Sequence, residues 1–189
     1  AASPAVSHPR QMEIEYGRDL IRHLKEIQVV EGNDRLAHMV RDVLTLDRDA
    51  LRNAHLTSIE FFHEMIHLFT EHQMAKRPPP VLEELFALYR EVVAFTRLAA
   101  SSQESLLQTL RNDPDLDDQA FREVLENSLN QNPPQLLHAL VDYMLKPGVY
   151  SDKFRKEAQN FLKGKEAGYL ESQVKDFDSE LLKHSILTA

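Results

Sequence analysis

Apolar residues recur along this chain at spacings of three and four, a period that predicts helices almost throughout. From Met12 to Val30 the repeat runs through Ile14, Ile21, Leu24 and Ile27. Glu31-Gly32-Asn33-Asp34 interrupts it and offers Asn33 or Asp34 as a cap for a second helix holding Leu36, Met39, Val40, Val43 and Leu44. Thr57 and Glu60 have the spacing of a capping box, so a third helix is expected from Thr57 to about Ala75. Pro78-Pro79-Pro80 closes it and presets the next, whose apolar face is Leu82, Leu85, Phe86, Tyr89, Val92 and Val93.

The second half follows the same grammar. Asn112-Asp113-Pro114-Asp115 reads as a turn, with Asp117 or Asp118 capping a helix through Phe121, Val124 and Leu125. Asn132-Pro133-Pro134 opens a helix that Pro147-Gly148 ends. Ser151 caps another, which Gly164 stops, and Gly168 to Ile186 forms the last. Five glycines and no run of alternating β-branched residues leave no expected strand, including ahead of Thr57. The pattern therefore predicts an all-α fold of about eight or nine helices, a compact bundle or a short array of antiparallel hairpins. No sequence period of ~30–45 residues marks a solenoid. Residues 1–10 read as a flexible tail and 11–189 as a single helical domain, with a soft sub-bundle boundary near 112–118.

Composition narrows the function. The 189 residues contain no cysteine, which excludes disulfides, thiolate metal sites and cysteine nucleophiles and suits an intracellular address, cytoplasmic or nuclear. No apolar run approaches the ~20 residues that span a bilayer. The net charge of −8 is concentrated in residues 79–132, with 4 Lys and Arg against 10 Asp and Glu. Such a segment repels nucleic acid and attracts a partner with a basic face. Glu83 and Glu84 open that acidic stretch, and the stripe Leu170, Val174, Phe177 and Leu181 on the last helix is a second candidate docking or dimer face, with core packing as its ordinary alternative.

One run carries chemistry. His63-Glu64-Met65-Ile66-His67 matches H-E-x-x-H, in which two histidines four apart on one helical face share a zinc ion and the glutamate takes a proton from water. On a helical wheel Phe61, Phe62, Met65, Ile66, Leu68 and Phe69 gather on one side, and His63 and His67 fall opposite with Glu60, Glu64 and Glu71. An ordinary amphipathic helix has the same layout. Two histidines are half a site, and the chain lacks the glycine and third histidine of the extended metzincin pattern. His72 lies about 140° around the helix from His67 and cannot close the set. A carboxylate from the helix after Pro80 is the remaining solution, Glu84 or Glu91, with Glu91 preferred.

The pentapeptide resembles the His-Glu-Met-Ile-His of some SprT-like zinc proteases. That resemblance covers five residues and implies zinc, a protease activity, and a strand or small sheet beside the zinc helix whose edge aligns the substrate backbone. Asp113, Asp115, Asp117 and Asp118 lack the glycine and glutamate of a calcium-binding EF-hand, and no phosphate loop or serine elbow is present. Without a complete catalytic set, the sequence favours a non-enzymatic helical interaction domain, a scaffold, adaptor or self-associating module without a cofactor. The alternative is a zinc hydrolase using His63, His67 and Glu91 as ligands and Glu64 as general base.

Overall fold

In a computed structural model that describes residues 25–30, 37–40, 43–47, 54–113 and 118–188, a small sheet precedes a bundle of helices. The sheet comprises β1 (Glu26–Val30), β2 (Ala37–Val40) and β3 (Val43–Asp47) in the order β1-β3-β2. β1 runs parallel to β3, pairing Glu26 with Val43 through Val30 with Asp47. β2 and β3 are antiparallel, pairing Val40 with Val43 and Ala37 with Leu46 across a two-residue connection. This corrects the expectation of helices at the end of the 12–30 segment and over 36–44. Short apolar runs satisfy both periods, and here Ile27 and Val29 alternate with polar neighbours while β3 finds a partner on each side. The expected tail at 1–10, residues 12–24 of the first expected helix, and Leu36, Asn33, Asp34, Asp115 and Asp117 lie outside the described residues.

Among the described residues seven helices follow, where eight or nine are expected of the whole chain: α1 (Ala54–His72), α2 (Pro80–Thr96), α3 (Ala100–Asn112), α4 (Gln119–Ser128), α5 (Pro133–Leu145), α6 (Asp152–Leu162) and α7 (Ala167–Thr188). The fold is thus mostly helical, with a small sheet added. α1 begins one turn before Thr57. Pro80 takes the first position of α2, where its missing N–H costs nothing. The Asp118 side chain accepts from the Phe121 N–H to start α4, Asn132 and Gln135 form a capping box on α5, and Ser151 accepts from the Phe154 N–H on α6. Each such cap contributes ~1 kcal/mol. Gly148 and Gly164 follow the ends of α5 and α6 with φ of +86° and +76°, angles that a side chain would strain.

One hydrophobic cluster runs through all the helices, including those on both sides of residues 112–118. α1 and α2 form its centre, contributing Met65, Leu68, Phe69, Leu85, Phe86, Val92 and Phe95. The α7 stripe lies inside: Leu170, Val174, Phe177 and Leu181 are buried. Phe177 stacks on Phe86 with ring centroids 4.3 Å apart and meets Phe69 edge-on at 5.6 Å. That stripe therefore offers no free apolar face to a partner. β2 lies against α1, so the antiparallel edge of the sheet sits beside the helix that carries both histidines. No helix among the described residues is long and apolar enough to cross a membrane.

Candidate metal centre

Helical geometry places His63 and His67 one turn apart on α1, and α2 returns along that face. His63 meets Glu91 while His67 meets Glu83, so the two helices run antiparallel. The His63 and His67 Nε2 atoms are 3.3 Å apart. Between them comes Glu84, with Oε1 at 3.1 Å from His63 Nε2 and Oε2 at 3.2 Å from His67 Nε2. Tetrahedral zinc with bonds of roughly 2.0–2.1 Å places its ligand atoms about 3.3–3.4 Å apart, close to this spacing. The set His63, His67 and Glu84 therefore fits one metal ion in both donor chemistry and separation.

The far sides of both rings also face carboxylates, and that of His67 is held by a hydrogen bond. His67 Nδ1 is 2.8 Å from Glu83 Oε1, and His63 Nδ1 is 3.4 Å from Glu91 Oε2. A carboxylate on Nδ1 fixes the ring orientation and directs Nε2 to a metal. Glu83 is itself anchored by Arg77, which donates from Nε at 3.0 Å and from a terminal nitrogen at 3.1 Å. Glu91, the preferred third ligand from sequence, lies on the Nδ1 side of His63 instead of between the two Nε2 atoms. One heptad separates it from Glu84, so both occupy the same stripe of α2 and only the axial register of the hairpin distinguishes them.

Burying several carboxylates around two imidazoles sets the local electrostatics. Burial opposes charge on His63, but Glu84 and Glu91 outweigh it and raise the ring well above its ordinary range. Burial likewise opposes charge on His67, and hydrogen bonds to Glu83 and Glu84 push it up to about 9. The same burial would raise Glu84, yet His63 and His67 hold it well below the usual carboxylate range. For Glu83 burial is overcome by His67 and Arg77, which bring it down to about 2. Glu64 is buried and raised by that burial, opposed in part by the two histidines. Glu60 is raised well above its usual value by burial and by neighbouring Glu91. Without a metal, the protonated histidines neutralise Glu83 and Glu84; a divalent cation would take over that role.

Two members of this centre escape sequence reading. The acidic pattern points Glu83 toward partner docking, although adjacent glutamates at the start of the helix after a triple proline could also suggest an inward pair. Tyr150 sits between α5 and α6, and its hydroxyl donates to Glu84 Oε1 at 2.8 Å; nothing local distinguishes it from an ordinary turn residue. His138 is exposed, 3.5 Å from Asp142, away from this centre. Comparison with protein-family models, curated proteins and solved structures gave no match.

Proposed function

We propose that this chain is a zinc-dependent hydrolase, with His63, His67 and Glu84 as metal ligands and Glu64 as general base. The observation that carries the reading is the convergence of three donor groups at 3.1–3.3 Å from one another, each ring backed by a carboxylate on Nδ1. Sequence alone favours an interaction domain because it leaves a third ligand missing. Glu84 meets that requirement, and the buried α7 stripe removes one of the surfaces on which the interaction reading stands.

Bound zinc would supply Lewis acidity, polarising a scissile carbonyl and acidifying the attacking water. The protein's own residues do the rest. His67 presents its Nε2 atom because Glu83 holds Nδ1, and Glu91 faces His63 Nδ1 as an ion-pair partner. Glu64, next to His63 on the same helix, accepts the proton from water and can return it to the leaving group. Peptide bonds are the favoured substrate class, since the sheet that the SprT-like resemblance calls for is present and its antiparallel edge strand β2 lies beside α1.

Protein purified without chelator or histidine tag should contain one zinc per chain, and His63→Ala should lose it with the fold retained by circular dichroism. Cleavage of an unfolded protein such as casein should depend on that zinc. Zinc near zero in the native protein, even after reconstitution, would overturn the hydrolase reading and leave a buried histidine–carboxylate network of purely structural use.

A further inference from the structure

The two oxygens of Glu84 are in different surroundings. Both face the histidines, Oε1 at 3.1 Å from His63 Nε2 and Oε2 at 3.2 Å from His67 Nε2, but Oε1 alone also accepts a hydrogen bond from the Tyr150 hydroxyl, at 2.8 Å. Tyr150 comes 66 residues after Glu84 in sequence, from the turn that Gly148 shapes with a φ of +86°. Its ring has little freedom. Phe154 lies against it with centroids 4.7 Å apart, and Tyr143 meets it edge-on at 6.0 Å. Tyr143 is fixed in turn by a 2.6 Å hydrogen bond to Asp118 Oδ2, the residue that caps α4. A packed aromatic cluster thus delivers one phenolic proton to one oxygen of the carboxylate.

Resting on the zinc reading above, we propose that Tyr150 is a positioning residue that holds Glu84 to ligation through a single oxygen, keeping the remaining coordination position for water. A carboxylate can give zinc one oxygen or two. A phenol donating to Oε1 occupies one of its lone pairs and draws charge from it, so Oε2 becomes the better ligand. Remove the hydroxyl and Oε1 regains both its charge and its freedom to turn toward the metal. The carboxylate then adds a second oxygen to the two histidines and the water, raising the metal from four ligands to five and crowding the position that a hydrolytic site must leave open. Tyr150 touches no substrate in this role and acts entirely through Glu84.

Cobalt(II) substituted for zinc reports this directly, because four-coordinate cobalt absorbs visible light far more strongly than five- or six-coordinate cobalt. Tyr150→Phe keeps the ring and its packing and removes only the hydroxyl. The variant should bind one cobalt per chain with a clear loss of visible absorbance relative to the native protein. Tyr143→Phe removes the neighbouring hydroxyl, which points to Asp118, and should leave the spectrum unchanged. An unaltered spectrum in Tyr150→Phe, or an equal change in both variants, would overturn the positioning role while leaving the metal site intact. A native protein that takes up neither cobalt nor zinc would instead remove the hydrolase reading, and this inference with it.

Discussion

His67 Nδ1 stands 2.8 Å from Glu83 Oε1, and this contact decides which nitrogen of the ring faces the centre. With Nδ1 engaged, Nε2 is left to point at Glu84 and His63. Glu83 can hold that position because Arg77 grips both of its oxygens from the segment between α1 and α2. The segment that ends in the triple proline thus does more than break a helix: it carries the cation that steadies the carboxylate held against His67.

Glu83→Ala is expected to weaken zinc binding by ~10–100-fold, the usual consequence of removing a carboxylate that orients a ligating histidine. Competition with a chromophoric chelator measures this. Unchanged affinity would show that the ring keeps its orientation without Glu83.

Glu64→Gln should retain one zinc and the native fold while hydrolysis falls by at least ~100-fold, since an amide cannot accept the proton from water. The metal-free variant should also be slightly more stable than native at pH 8, because a neutral side chain replaces a buried carboxyl whose ionisation burial opposes. Hydrolysis persisting at the native rate would remove Glu64 from the base's role.

The metal-free protein should lose stability as pH rises from about 6.5 toward 9. His67 has a folded pKa of about 9 against an ordinary 6.5, so its contribution is complete below 6.5 and is lost as pH passes 9. That contribution is at most ~3 kcal/mol and is shared with its carboxylate partners. His63, Glu60 and Glu64 are also raised and add to the decline with increasing pH. Glu83 works in the opposite sense: lowered to about 2 from 4.5, its contribution is complete above 4.5 and lost as pH falls toward 2. Urea melts of the metal-free protein across pH 3–9.5 are the measurement, and a stability that stays level between 6.5 and 9.5 contradicts the charged histidine pairs.

Phe177→Ala should destabilise the protein by ~3–5 kcal/mol, the cost of emptying a large aromatic site in a packed core, here between Phe86 and Phe69. A stripe kept for a partner would give a change within ~0.5 kcal/mol, as surface substitutions do. Thermal or urea denaturation separates the two outcomes.

What the sequence by itself determined were features written in neighbouring residues. The helices α1, α2 and α4 to α7 show an apolar stripe at helical spacing, whereas the sequence reading does not separate α3 from α2, and Pro80, Asp118, Asn132, Ser151, Gly148 and Gly164 mark boundaries by chemistry that acts within a few residues. His63, Glu64 and His67 belong to this class, since their common face follows from one turn of helix. Tertiary structure decided the rest. Apolar residues at 36–44 satisfy a helical period as well as a strand's, and β3 becomes a strand because β1 and β2 pair with its two edges. Glu84 and Glu91 share a helical face, so the choice between them rests on the axial register of α2 against α1. Tyr150 reaches Glu84 only after the chain has folded back across 66 residues. Local backbone preference can place two histidines on one side of a helix, but the third donor, and the groups that hold all three in orientation, come from contacts that exist only once the helices have packed.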